Sequence, residues 1–484
     1  MYMKNFKFAL HTVAACAIAA LAVACSSDDE MTEKQSGVKE TITLTAFQPG
    51  DEAGTRIGFD SKGSAYWQSA DKIGVWSSSD NKFGELSLSS GAGEATATFT
   101  GKITDPKGQY AVYPYNENHQ LSGSTLTYYL PSSYTYTSVD QTFFPDEKNG
   151  NSFCAPMWGK VSDNDNTVTF KHLGGVLCIK VDKMPAASGT VKVIEASNQL
   201  CGTFTATLTD TDPEMKTTKA TENNSVTFRY SGATADAQGV FYLPVATGNY
   251  SLTIIVSGGT KHSATTSTVA ITRTRLQIVN VKTSYSEDGS VTINGHKFID
   301  LGLPSGLLWA ETNVGATSST EAGDYYAWGE TEKKTNYSWS TYTHATSSSD
   351  LKKYTSSDKK TVLENADDAA YSVWGSFCQM PTYSQIKELL DTSNCTWTCD
   401  DTNKGFKVAS KKNNNSIFVP ASGFYDGQNV NNKDKFGYYW SSTLYSDNPG
   451  GACDLILNYT SDKLAYTYGK ERYCGCSVRP VVEP

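Results

Sequence analysis

Six histidines could carry acid–base or metal chemistry: His11, His119, His172, His262, His296 and His344. None is placed to form the two-histidine helical motif of zinc hydrolases. No serine sits in a G-x-S-x-G turn, and no glycine run has the spacing that cradles a phosphate or a dinucleotide. His172 falls on the apolar face of a predicted strand, so it reads as a core side chain. The chain is therefore not expected to be an enzyme, and no cofactor is expected. Past Cys25, nine cysteines remain. Six lie in the last third, and these are candidate disulfide partners: Cys378, Cys395, Cys399, Cys453, Cys474 and Cys476. Spacing does not give their pairing. A zinc site on Cys395-x3-Cys399 with Cys474-x-Cys476 lacks a nearby histidine, so no metal is expected. Aromatic side chains are the better binding hardware. Tyr325, Tyr326, Trp328, Tyr439 and Trp440 are candidate ligand contacts that could stack on sugar rings. Asn313, Asp324 and Glu330 could take hydroxyls or a calcium ion.

The elements that must position these residues are mostly strands. In 484 residues, only 19% are charged, while 28 are tyrosine and 39 glycine. Such a composition suits short strands joined by polar turns. ITLTAF (42–47), KIGVW (72–76), ATATFTG (95–101) and YAVYPY (110–115) read as β. TVTFKH (167–172) alternates Val168, Phe170 and His172 with Thr167, Thr169 and Lys171, the period of a half-buried strand. GTFTATLT (202–209) and YSLTIIVSG (250–258) follow the same rule. A helix is predicted at MPTYSQIKELL, where Thr382 caps and Gln385 completes a capping box. A second short helix is predicted over 367–374. SYSEDGS (284–290) reads as a linker. The formal charge is −9, and about −11 from Cys25 onward, with 39 basic residues against 50 acidic. A nucleic-acid partner would need a basic footprint that is missing here.

Lys4 and Lys7 precede an apolar run, Val13 to Ala24, that is too short to span a bilayer. LAVAC resembles a bacterial lipobox, although Leu21 sits one place early. The resemblance implies cleavage before Cys25 and lipid attachment to its thiol, with an ordinary secretory signal as the other reading. The following SSDDEMTEKQSG is acidic and free of aromatics, as in a flexible tether. Its SDDE stretch resembles the acidic signal that directs Bacteroidetes lipoproteins to the cell surface.

Several segments, in order, resemble the fimbrillin-like surface lipoproteins of Bacteroidetes. They are Thr55-Arg56, WQSADKIGVW from Trp67, the Ala97-Phe99-Gly101 pattern, YAVYPY, Leu130-Pro131, Pro156-Met157 and FKHLGGVL from Phe170. FYLPV (241–245) and TRTRL (272–276) continue the pattern. The last third resembles the Fibrobacter succinogenes major paralogous domain, a module related to C-type-lectin-like folds. FIDLGLPSGLLWAETNVGA (298–316), GDYYAWGET (323–331), QMPTYSQIKELL (379–390), IFVPASGF (417–424), GYYWSS (437–442) and SVRPV (477–481) carry it. These signature segments make Trp309, Trp328 and Trp440 candidates for the core as much as for a binding face. Where that family has Trp-Arg before Met-Pro-Thr, this chain has Cys378-Gln379. The departure suggests a local disulfide in place of aromatic packing, with Cys453, Cys474 or Cys476.

The expected architecture is mainly β. It comprises a signal peptide (1–24), a tether (25–40), two antiparallel fimbrillin-like β-sandwiches (41–182 and 183–285) and an α+β lectin-like domain (286–484). The resemblance implies a fimbrial tip or accessory adhesin, anchored by lipid in the outer membrane. It implies proteolytic processing at Arg56, the first basic residue after the first strand. It also implies assembly with other fimbrial subunits by β-strand exchange. The alternative is a non-polymerising lipoprotein that captures glycans for uptake. Catalysis, by analogy with the formylglycine-generating enzymes that share the lectin-like scaffold, has no matching reactive cysteines.

Overall fold

The computed structural model describes residues 40–48, 67–137, 155–217, 223–273, 276–355, 357–460 and 464–484. The chain is mainly β, as its composition requires. The first sheet runs, in spatial order, through 167–169, 40–47, 96–103, 82–90, 72–77, 110–113, 157–160 and 171–172. Its two outermost stretches are halves of one extended run. Met157 pairs with His172, Trp158 with Lys171, and Val161 bridges Val168. These pairs keep one continuous hairpin register, so the sheet curls round and closes on itself. Its core is aromatic. Trp67, fully buried, meets Phe99, Tyr113 and Phe170 edge-on, with ring centres 4.9, 5.2 and 5.7 Å away. Asp71 is buried beside them, accepting from the Tyr113 hydroxyl at 2.7 Å and the Gln68 backbone N–H at 2.8 Å. The Trp67 and Asp71 of the signature run thus hold the core together.

The next unit is a sandwich. A five-stranded sheet (261–271, 248–258, 189–195, 225–230, 133–136) faces a three-stranded one (239–245, 175–181, 276–281). Between them lie Ile179, Val193, Phe228, Phe241 and Ile254, all shielded from solvent. Strand pairing does not respect the boundary expected at 182/183. Ser133–Tyr136 runs parallel to the strand at 225–230, and Thr125–Leu130 pairs with Gly202–Thr207. Long-range pairing of this kind is invisible to a segment-by-segment reading. His172 is buried, and burial pushes its pKa down to about 4.

The C-terminal region mixes small sheets with two helices. A four-stranded sheet closes by pairing Leu308 with Val482. A five-stranded sheet runs 325–326, 476–477, 436–444, 451–458 and 464–471. The helices are Ala369–Trp374 and Tyr383–Leu390; the second carries the capping box on Thr382 and Gln385. Two buried arginines pin the loops. Arg479 donates to Asn313 Oδ1 and to the carbonyls of Ala310, Glu311 and Phe418 at 2.7–3.0 Å. Arg472 donates to the carbonyls of Lys353 and Tyr354 and lies over the Trp328 ring.

The stretch read as a linker is docked. Tyr285 donates its hydroxyl to the Lys183 carbonyl at 2.6 Å, and the Ser284 N–H donates to Ser263 Oγ at 2.9 Å. Beyond it, Ile194 and Ile255 share a core with Val291, Ile293 and Phe298. Lys192 reaches Glu483 at 2.5 Å, and His262 lies 3.5 Å from Asp300. A polar cavity of about 180 Å³ remains in this seam, lined in part by Lys192, Asn224, Tyr371 and Glu483.

Candidate interaction surfaces

The first strand, Glu40–Phe47, is held on both sides. It runs antiparallel to Thr96–Ile103 through eight register positions, from Glu40 opposite Ile103 to Phe47 opposite Thr96. On its other side it runs parallel to Thr167–Thr169. Its threonines face outward, while Leu44 and Ala46 are fully buried and Ile42 packs at the rim of the core. Withdrawing this strand would uncover one edge of the strand at 96–103 and an apolar slot. Arg56, the candidate processing site, follows nine residues after Phe47 and lies outside the described residues. Cys25, the candidate lipid site, lies outside them as well. No helix among the described residues is long and apolar enough to cross a membrane.

The aromatic residues expected to contact ligand are corrected by their burial. Tyr326, Trp328, Tyr439 and Trp440 are 0–3% exposed. Trp328 Nε1 donates to the Ser441 carbonyl at 2.8 Å, and Trp440 Nε1 donates to the Tyr326 carbonyl at 2.7 Å. Tyr439 donates to the Pro420 carbonyl at 2.6 Å. Tyr325 is half-buried, with its hydroxyl donating to the Ser422 carbonyl. Tyr325, Trp328, Tyr439 and Trp440 satisfy their polar tips within the fold, and the four buried rings present no stacking face. The polar candidates are equally engaged. Asn313 holds Arg479, Asp324 pairs with Lys333, and Glu330 accepts from Thr343 and pairs with Lys334.

The candidate disulfides are corrected too. Cys378, Cys395, Cys399, Cys453, Cys474 and Cys476 all stand as free thiols, buried except for the half-buried Cys399. Cys395 and Cys399 share one strand, where four residues span about 13 Å, too far for a disulfide. Cys378 Sγ donates to the Ala370 carbonyl, and Cys453 Sγ to that of Leu444. Burial pushes the Cys395 and Cys453 thiols up to about 11 and Cys474 to about 12, which keeps them unreactive.

An exposed aromatic pair was not anticipated. Tyr466 and Tyr468 are 43% and 62% exposed, and among the described residues no other tyrosine is as open. Both sit on Leu464–Glu471, the edge of the five-stranded sheet. The alternation in LAYTYGKE was the available signal. Beside them lies Asp454, 0% exposed, with both carboxylate oxygens lacking an aligned hydrogen-bond donor. Burial drives its pKa up to about 7; the Lys470 charge and nearby backbone N–H groups offset part of that rise. A second cavity, about 210 Å³, is lined by Tyr128, Tyr134, Tyr136, Tyr242, Pro131 and Pro244 and has no charged wall.

A family described as a domain of unknown function (DUF8237) matches residues 381–481. No curated protein matches. Among solved structures, one similar chain is a Bacteroides ovatus protein with a proposed role in cell adhesion. It is 13% identical, at 51% coverage of this chain and 96% of its own, with a TM-score of 0.31. The tip fimbrial protein Mfa3 of Porphyromonas gingivalis, with a C-terminal truncation, is 13% identical; 48% of this chain and 81% of that one align, at a TM-score of 0.19. A fimbrial protein from Bacteroides ovatus aligns over 92% of this chain and 100% of its own, at 11% identity and a TM-score of 0.20. Similarity at this level leaves function to be argued from the chain's own residues.

Proposed function

We propose that this chain is an exported, lipid-anchored surface subunit that acts as a fimbrial tip or accessory adhesin. Cys25 carries the lipid, and the outer membrane is the site of attachment. Processing after Arg56 frees the first strand, and a strand from another fimbrial subunit takes its place. The observation that carries this reading is the position of Glu40–Phe47. It lies between two neighbours with two fully buried side chains, so its loss leaves a slot shaped for an extended segment. Main-chain hydrogen bonds would give such an insertion its affinity, and the Leu44 and Ala46 sites its register.

Residues 476–484 are engaged at home. Cys476–Ser477 pairs with Tyr325–Tyr326, Val481–Val482 pairs with Leu308–Trp309, and Thr190 donates to the Pro484 carbonyl. These nine residues offer no strand to a neighbour. That suits a tip or accessory position. N-terminal sequencing of protein from cell-surface fractions tests the reading. Assembled protein should begin at Ile57, and Arg56→Ala should abolish both that terminus and the high-mass species. Assembled wild-type protein that still begins at Cys25 sinks it.

The second reading is a non-polymerising glycan-capture lipoprotein. The exposed Tyr466–Tyr468 pair favours it. It requires glycan binding by surface protein that is never processed.

A further inference from the structure

We propose that the outward face of Leu464–Glu471 is a saccharide site, in which Tyr466 and Tyr468 stack on a sugar ring and Asp454 accepts its hydroxyls. The inference rests on the surface-adhesin reading and gives it a ligand class.

Register places the parts. Tyr438, Ile456 and Tyr466 lie in one row across three strands; Trp440, Asp454 and Tyr468 lie in the next. Residues opposite one another in a ladder share a face. Asp454 therefore points to the same side as both exposed tyrosines. Lys470 starts one row further on, opposite Ala452. Its ammonium nevertheless lies 3.4 Å from the Phe424 ring centre and 4.9 Å from that of Tyr438. Tyr438 is two rows away, so the lysine stem must cross the row of Asp454. In the proposed site this stem screens the carboxylate, while the ammonium rests on the aromatic faces and acts on Asp454 as a nearby charge.

A buried carboxylate with only poorly aligned backbone N–H groups beside it is costly, and the cost falls once well-placed donors arrive. The stem above it is four flexible carbons. In the proposed complex it swings aside, and a sugar hydroxyl reaches Asp454 from beside the Tyr468 ring, which shares its row. A saccharide supplies both halves of what this face lacks: a C–H face for the rings and hydroxyl donors for the carboxylate. An aliphatic surface would leave Asp454 unpartnered. A uronic or sulfated sugar would set anion against anion, on a chain already at −9. The ligand is accordingly a neutral or amino sugar.

The intact, unprocessed chain is applied to an array of neutral, amino and acidic oligosaccharides, and the strongest binder is titrated in solution. Binding should fall in the neutral or amino class. Tyr466→Ala with Tyr468→Ala should weaken it about tenfold or more. Asp454→Asn, checked by near-ultraviolet circular dichroism for folding, should weaken it severalfold. Lys470→Ala should strengthen it, which a merely structural lysine would not do. A silent array, preference for acidic sugars, or affinity unchanged by the double tyrosine substitution overturns the proposal. None of these readouts depends on cleavage at Arg56, so failure here and failure of the assembly reading are separable.

Discussion

Replacing Asp454 with asparagine should stabilise the C-terminal region, and more so at high pH than at low. The carboxyl is wholly buried, and burial raises its pKa from the ordinary carboxylate range to about 7. The unfolded chain ionises this group near pH 4, whereas the folded chain holds the proton until about pH 7. Over that window the folded state loses about 1.4 kcal/mol per pH unit relative to the unfolded one, levelling off above the folded pKa. Between pH 5 and 8 the loss comes to about 2–3 kcal/mol. Asparagine keeps the shape without the charge and removes this dependence. Asp368, which burial also pushes up, to about 6, is common to both proteins and cancels in the comparison. Urea unfolding at pH 5 and pH 8, followed by tryptophan fluorescence, reads the difference. The stability gap between variant and wild type should widen by about 2–3 kcal/mol at the higher pH. A gap that is the same at both would refute the account of an unpartnered buried carboxylate.

Three further outcomes follow from packing and burial. Leu44→Ala empties a fully buried position of the first strand and should cost about 2–5 kcal/mol, measured as a drop in urea midpoint at constant slope. Arg479→Ala leaves Asn313 Oδ1 and three carbonyls without their donor; a loss of about 3–5 kcal/mol is expected, and lysine, lacking the planar fork, should not restore it. In native protein, maleimide labelling mapped by mass spectrometry should modify Cys399 well before Cys378, Cys395, Cys453, Cys474 and Cys476, with all reacting after denaturation.

Local features were legible in the chain, and long-range ones were not. Alternation located Glu40–Phe47, where one buried face imposes period two; Lys72–Ser77 and Tyr250 to Gly258 are buried on nearly every residue and were legible from their β-branched and aromatic content. Thr382 and Gln385 announced their helix because a capping box is a short-range hydrogen-bond pattern. The division at 182/183 missed because Thr125–Leu130 and Ser133–Tyr136 find partners 72–94 residues later. The aromatic candidates misled for a related reason. A tyrosine in a strand looks the same whether its face meets a core or solvent, and only the order of strands decides. Tyr439 lies on a central strand and is covered; Tyr466 and Tyr468 lie on the edge and are not. Cysteine spacing could not reveal that Cys395 and Cys399 point along one extended strand and cannot meet.

The ladder between the first strand and Thr96–Ile103 has a mechanical meaning. Its inter-strand bonds lie across the strand direction. A pull along the strand at residue 40 therefore loads all eight positions at once, in shear. A pull at right angles would part them one by one. Resistance to such a pull would be set by this ladder together with the shorter parallel one to Thr167–Thr169, before the cores behind them felt the load.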